Sequence, residues 1–235
     1  MSSATDIASN LIQVREKIAR SAARADRDPS SVRLVAVSKT FPWERIGDAY
    51  DCGLRDFGEN RVQEFQQKLP HLQLPEISFH LIGHLQTNKV SQAVDFHWVQ
   101  TVDSQRLALR LNEAASKANK KISILIEVKL GEEESKTGLS ETEVAGLAAF
   151  VRPLTQLELK GLMAIPPYKA DPEESRPYFH RLRQLRDRLQ EAGSPEVREL
   201  SMGMSRDFPI AIEEGATIIR VGTAIFGPRS SATFT

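Results

Sequence analysis

The chain has 235 residues, 40% of them hydrophobic, with 31 basic and 31 acidic side chains, the balance of an ordinary globular protein. A net charge of zero gives neither nucleic acid nor an anionic membrane a field to follow, and no apolar run approaches the roughly 20 residues that cross a bilayer. The expectation is therefore a cytoplasmic protein with no nucleic-acid partner and no membrane. A single cysteine, Cys52, excludes an intrachain disulfide and a thiolate cluster, and five histidines without an H-E-x-x-H motif give no support for a metal site.

Ile7, Leu11, Val14 and Ile18 recur as one face of an amphipathic helix, which argues against a secretory leader, while Asp6 and Glu16 argue against a transit peptide. "RDPSS" breaks that helix, and Arg33 to Lys39 reads as the first strand. Trp43 to Gly53 is helical and ends on glycine, with Cys52 a small thiol at its end; "LRDFG" is a short strand and Asn60 to Leu69 a helix. "PHLQLPE" is a loop, "ISFHLIG" a third strand and Thr87 to Val94 a helix, with Thr87 or Asn88 as its cap. "FHWVQTV" follows as a strand, then a helix from Ser104, its N-cap, to about Asn119. "KISILIEVKL" is rich in β-branched residues and reads as the fifth strand. Glu141 to about Gln156 is helical, "LELKGLMAI" a strand that Pro166 and Pro167 end, and Pro172 to Ala192 helical, with Pro177 marking the start of its regular part. "SPEVRELSMG", a short helix from Pro209 to Gly215, and "TIIRVG" complete the series.

Eight strands thus alternate with helices, which calls for a parallel sheet. Eight such units in this length suit a closed barrel. The rival, an open doubly wound sheet, usually has a glycine-rich turn after its first strand, and "SKTFPWER" has none. We read residues 1–235 as a single α/β domain, a (β/α)8 TIM-type barrel, with the N-terminal helix in the place of a full helix after strand eight.

Chemistry in such a barrel lies at the C-terminal ends of the strands. Those ends carry Lys39, "GEN" (Gly58 to Asn60), "HLIGH" (His80 to His84), Asp103, Lys129, Met163, "SMGMS" and "RVGT", so polar residues and glycines collect on one rim. The loops after strands seven and eight often bind phosphate. "SMGMSRDFP" offers Ser205 as the ligand, with Asp207 as a helix cap, and "RVGTAIFG" adds Gly222 and Thr223. In one loop alone, such glycines would as readily do no more than turn the chain. Lys39 shares a strand face with Val35 and Val37, which sends a costly ammonium inward. A lysine desolvated in a barrel mouth is a nucleophile for aldehydes, although an ion pair with Glu59 would also explain it. Amine and phosphate cradle together fit a phosphorylated aldehyde, either pyridoxal 5′-phosphate (PLP) or a sugar phosphate. Arg220 lies in parity with Ile218 and Gly222. If that face is inward, its guanidinium would keep a pyridine nitrogen unprotonated and the ring a poor electron sink.

"VAVSKT", "FGENRVQE", "FHLIGHLQTNK", "LSMGMSRDF" and "RVGTAIFG" resemble, in order and spacing over nearly the whole chain, the YggS/PROSC family of pyridoxal phosphate homeostasis proteins. The resemblance implies a fold-type III PLP barrel like the N-terminal domain of alanine racemase. It also implies an internal aldimine at Lys39, Arg220 opposite the pyridine nitrogen, a phosphate held by Ser205, Gly222 and Thr223, and Asn60, His80 and Met163 beside the ring. Family members bind and buffer or deliver PLP, influencing amino-acid and keto-acid balance, with no established catalytic reaction. PLP-dependent apoenzymes are the expected recipients. Racemases of this fold type take a second proton-transfer group from a further β domain, for which this sequence leaves no length. That favours a carrier without catalytic residues, and a monomer, over a racemase-like enzyme in which His84 or Tyr168 supplies the proton. A Schiff-base aldolase is the remaining alternative, against which Lys39 stands on the first strand rather than a later one. The "QTNK" segment has no assigned role.

Overall fold

The computed structural model describes residues 4–131 and 137–228, so the ends of the 1–235 single-domain reading lie outside it. Its strands are β1 Arg33–Val37, β2 Asp56–Glu59, β3 Ser78–Leu81, β4 Trp98–Val102, β5 Ile122–Glu127, β6 Leu157–Met163, β7 Glu199–Ser201 and β8 Ile218–Val221. All neighbours run parallel, and β8 returns to β1 to close the barrel in chain order. Between them run α2 Trp43–Asp51, α3 Val62–Lys68, α4 Val90–Ala93, α5 Gln105–Lys117, α6 Glu141–Val151, α7 Arg176–Glu191 and α8 Phe208–Glu213, with α1 Ala4–Arg24 before β1 and α9 Thr223–Phe226 after β8.

Side chains on the two strand faces enter two different cores. Alternate residues such as Ala36, Phe57, Leu81 and Ile126 face the helices and form one large apolar layer with them. Val35, Trp98, Leu125, Met163 and Ile218 fill the barrel interior. Burying each such aliphatic side chain contributes about 1.5–3 kcal/mol.

Helix α1 buries Ile7, Leu11, Val14 and Ile18 against α2, α8 and α9. It therefore occupies the outer-ring position that the four-residue α9 is too short to fill. Asn10 Nδ2 donates to Ile225 O at 3.0 Å, and Arg27 donates to Ile212 O at 2.7 Å. Local chemistry starts the long helices. Ser104 Oγ accepts from Leu107 N at 3.3 Å, and Ser140 with Glu143 forms a capping box.

Several elements are shorter than their patterns suggest. β1 stops at Val37, so Lys39 stands in the turn beyond it. β7 keeps only three residues, α6 ends at Val151, and Pro172–Ser175 is a 3-10 turn before α7. Thr87–Lys89 is likewise a 3-10 turn, so neither Thr87 nor Asn88 caps α4; both lie inside the turn, whose N-cap is Gln86. A strand pattern persists wherever residues alternate in burial, whereas ladder pairing stops where the neighbouring strand diverges into its loop. Among the described residues no helix is long and apolar enough to cross a membrane.

Candidate functional site

The strands' C-terminal ends surround a cavity of about 430 Å³ lined by Lys39, Asn60, Ser205, Arg220, Gly222 and Thr223, among others. These six of the eight expected cofactor residues converge although they span most of the sequence. His80 and Met163 do not line it: both are fully buried in the barrel interior beneath.

Lys39 is half-buried and lies beyond Val37, which also lines the cavity. The strand parity that sends Val35 into the barrel carries Lys39 toward the mouth. Glu59 has the opposite parity and is engaged elsewhere, its Oε1 accepting from Lys68 Nζ at 2.7 Å and from Ser38 Oγ at 2.7 Å. Asn60 follows β2. A Cβ on Gly83 would stand 2.2 Å from Asn60 O, so only glycine lets the β3 exit pack this closely on the Asn60 backbone.

The loops after β7 and β8 meet at Ser205, whose Oγ accepts from the backbone N–H of Gly222 at 3.3 Å and of Ala224 at 3.4 Å. Two backbone amides thus converge on the Ser205 hydroxyl. Asp207 does not cap α8 with its side chain; its Oδ1 accepts instead from Met204 N at 2.7 Å, closing the loop on itself. Gly203 has φ +87°, and a Cβ there would lie 2.5 Å from Ala211 Cβ. Arg206 reaches across the mouth, donating to Ala170 O at 2.8 Å and to the Tyr168 hydroxyl, with its guanidinium 4.9 Å from that ring. Lys39, Lys169, Arg206 and Arg220 against Asp207 give the lining a positive balance suited to a phosphate dianion.

Arg220 is buried and points inward beside Val35 of β1. Burial pulls its pKa down to about 10, against the carboxylates of Asp207 and Glu127, so it stays a cation at neutral pH. Its NH2 donates to Ala164 O at 3.0 Å and its NH1 to Ser201 Oγ at 2.6 Å. A directional chain continues from there through the barrel. Ser201 donates to Gln100 Oε1 at 2.6 Å, Gln100 Nε2 and His80 Nδ1 are 2.9 Å apart, and His80 Nε2 and Asp56 Oδ1 are 2.9 Å apart. A carboxylate only accepts, which places the His80 proton on Nε2 and leaves Nδ1 to accept from Gln100. Burial, outweighing the attraction of Asp56, lowers the His80 pKa and keeps the ring neutral; His80 also stacks on Trp98 at 5.3 Å. His80 is thus a support for Arg220 from below. The sequence reading puts Ser201 on the rim as the first residue of "SMGMS" but misses Gln100, for which a glutamine at inward parity in the apolar strand "FHWVQTV" is the signal.

The two side chains considered as proton donors are otherwise held. His84 is half exposed, 3.6 Å from Asp103, and Tyr168 is 79% exposed. Glu127 faces the interior beside Met163, its Oε1 accepting from Thr137 at 2.8 Å. Burial first, then the charge of Asp103, raise its pKa. No group of His, Cys, Asp and Glu fit to hold a metal ion is found among the described residues.

Comparison with known proteins gives a consistent picture. The family model described as alanine racemase, N-terminal domain, matches residues 9–230. The pyridoxal phosphate homeostasis protein of Aquifex aeolicus (strain VF5) is 44% identical over 220 residues, covering 93% of this chain and 96% of that protein. PipY of Synechococcus elongatus PCC7942, solved with PLP bound, is 39% identical with a TM-score of 0.83, covering 94% of this chain and all of that one. An alanine racemase of Clostridium difficile 630 shares the fold at a TM-score of 0.75 and 14% identity, and the match covers 98% of this chain but 59% of the racemase.

Proposed function

This chain belongs to the alanine racemase N-terminal domain family, alongside the pyridoxal phosphate homeostasis proteins, and from that premise we propose that it binds PLP at the barrel mouth to store and hand on the cofactor. The observation that carries this reading is the convergence of Lys39, the Ser205–Gly222–Thr223 cradle and Arg220 on one cavity. Its volume of about 430 Å³ falls within the range of ligand pockets. The residues fit the group. The Gly222 and Ala224 N–H groups, which here donate to the Ser205 hydroxyl, would serve with that hydroxyl as donors for a phosphate, and Arg220, anchored by Ser201 and Ala164, presents a permanent cation to the cavity.

Bound PLP supplies an aldehyde to which a deprotonated amine bonds reversibly with loss of water. Lys39 would provide that amine, Ser205, Gly222 and Thr223 would hold the phosphate, and Asn60 would flank the ring. Arg220 donates and has no proton to release at neutral pH, so beside a pyridine nitrogen it would leave that nitrogen unprotonated and the ring a poor electron sink. His84 and Tyr168 are exposed and otherwise engaged, so neither is held opposite Lys39 as the second proton-transfer group that racemisation requires. The carrier would be a monomer. The recipients would be PLP-dependent apoenzymes, with effects on amino-acid and keto-acid balance.

The test is the visible spectrum of the purified protein. Wild type with PLP should show a visible absorption band that Lys39→Ala abolishes; a wild-type protein that takes up no PLP would sink the reading. Incubation of the loaded protein with a panel of L-amino acids should give no D-isomer or keto acid beyond the background of free PLP, and sustained turnover would overturn the non-catalytic role.

A further inference from the structure

Behind Lys39, in the otherwise apolar layer between barrel and helices, lies a cluster of charges. Lys68, on α3, is only 6% exposed. Its Nζ lies 2.7 Å from Glu59 Oε1, 2.7 Å from Glu64 Oε1 and 3.0 Å from Ser38 O, so all three ammonium protons have acceptors. Glu64 and Lys68 stand one helical turn apart, which puts both side chains on one face. Phe57, Val62 and Phe65 around them belong to the apolar layer.

The cluster bonds the chain on both sides of Lys39. On one side, Lys68 takes the Ser38 carbonyl, and Ser38 Oγ donates to Glu59. On the other, the backbone N–H of Thr40 donates to Glu64 Oε1 at 2.5 Å. Thr40 has φ +68°, a conformation that a β-branched residue rarely adopts and keeps only where the surroundings over-determine it. A buried ion pair seldom stabilises a fold more than an apolar pair of equal size, so holding the layer together does not account for this one. Glu59 Oε2 is buried without a hydrogen-bond partner among the described residues, a costly placement for a carboxylate oxygen. Burial pushes its pKa up to about 7 against the opposing influence of Lys68 and Ser38.

We propose that Lys68, with Glu59 and Glu64, is a positioning device for Lys39, clamping the peptide units on either side of it so that its amine is already directed at the cavity when an aldehyde arrives. The proposal deepens the PLP-binding reading above and rests on it. Lys68 acts through the backbone and touches no ligand. Its effect falls on the bond between Lys39 and an aldehyde, because the hydrogen bonds of Lys68 end on Ser38, Glu59 and Glu64, while the phosphate cradle stands on the loops after β7 and β8.

The experiment compares two ligands on the full chain. PLP bonds to the amine, whereas pyridoxine 5′-phosphate has the same ring and phosphate but an alcohol in place of the aldehyde. Lys68→Met and Glu64→Ala should weaken PLP binding roughly tenfold and deplete the visible band at subsaturating PLP, with pyridoxine 5′-phosphate bound as by wild type. Glu64→Gln, which keeps an acceptor oxygen for Thr40 N, should recover most of the affinity lost in Glu64→Ala. Glu64 is 23% exposed at its side chain, so its variants fold even where Lys68→Met does not. Variants that lower Tm yet bind PLP as wild type does, or that weaken both ligands equally, would overturn the clamp while leaving the PLP reading standing. A wild-type protein that binds pyridoxine 5′-phosphate and PLP equally, with no visible band, would instead remove the covalent reading beneath it.

Discussion

Ser201→Ala tests the hydrogen-bond chain that crosses the barrel. Ser201 is fully buried and its hydroxyl links Arg220 NH1 to Gln100 Oε1, at 2.6 Å on each side. Removing it leaves one guanidinium N–H and one amide oxygen without partners. Each such orphan costs about 1–3 kcal/mol, with the charged donor at the upper end, so the variant should lose roughly 2–5 kcal/mol. For a chain of this length that corresponds to a fall in Tm of roughly 5–20 °C, read by circular dichroism on the cofactor-free protein. Gln100→Leu should cost a similar amount, because it orphans His80 Nδ1 and the Ser201 hydroxyl. The double variant removes orphans together with their partners and should cost less than the two single losses added. Additive losses, or a Ser201→Ala melt within about 1 °C of wild type, would refute the view that the chain is a coupled support for Arg220.

Glu59 should make stability fall with rising pH. Its folded pKa, pushed up to about 7 by burial from an ordinary 4.5, means the folded chain keeps a proton that the unfolded chain gives up. The contribution is complete below about pH 4.5 and is lost as pH rises through 7, amounting to at most about 3 kcal/mol. Denaturant midpoints at pH 5 and pH 8 should therefore differ more for wild type than for Glu59→Gln, and equal differences would contradict it. Gly203 and Gly193 offer a matched pair, at φ +87° and +94°. Gly193→Ala meets open space and should cost only the left-handed backbone penalty of about 1–2 kcal/mol. Gly203→Ala adds a collision with Ala211 Cβ at 2.5 Å and should cost clearly more in denaturant unfolding. It should also weaken ligand binding, because Gly203 O accepts from Arg220 N at 3.0 Å; equal costs at the two glycines would refute the collision.

The positions that sequence reading reached share one property, that local pattern decides them. Val35, Val37 and Lys39 alternate along a strand, and parity alone sent Lys39 toward the mouth. Ile218 and Arg220 follow the same rule, and the structure puts both inside the barrel. Glu59 shows where one rule fell short. Its proximity to Lys39 in the rim list suggested an ion pair, but opposite parity turns it to the helix side, where Lys68 takes it. The family resemblance implies His80 and Met163 beside the ring, whereas both lie below the cavity lining; depth within a barrel depends on stagger between strands, which a single strand does not record.

The sequence by itself determined the eight-fold alternation, the rim on which chemistry collects and the six residues that meet at the cavity, because periodicity and strand ends are properties of short segments. Only the tertiary structure decided that Asp56, His80, Gln100, Ser201 and Arg220, from five different strands, form one directional chain, and that Lys68 reaches back to grip the turn at Lys39. Both depend on registers and on distances of about 3 Å between residues far apart in the chain, and closing the barrel is the physical event that fixes them.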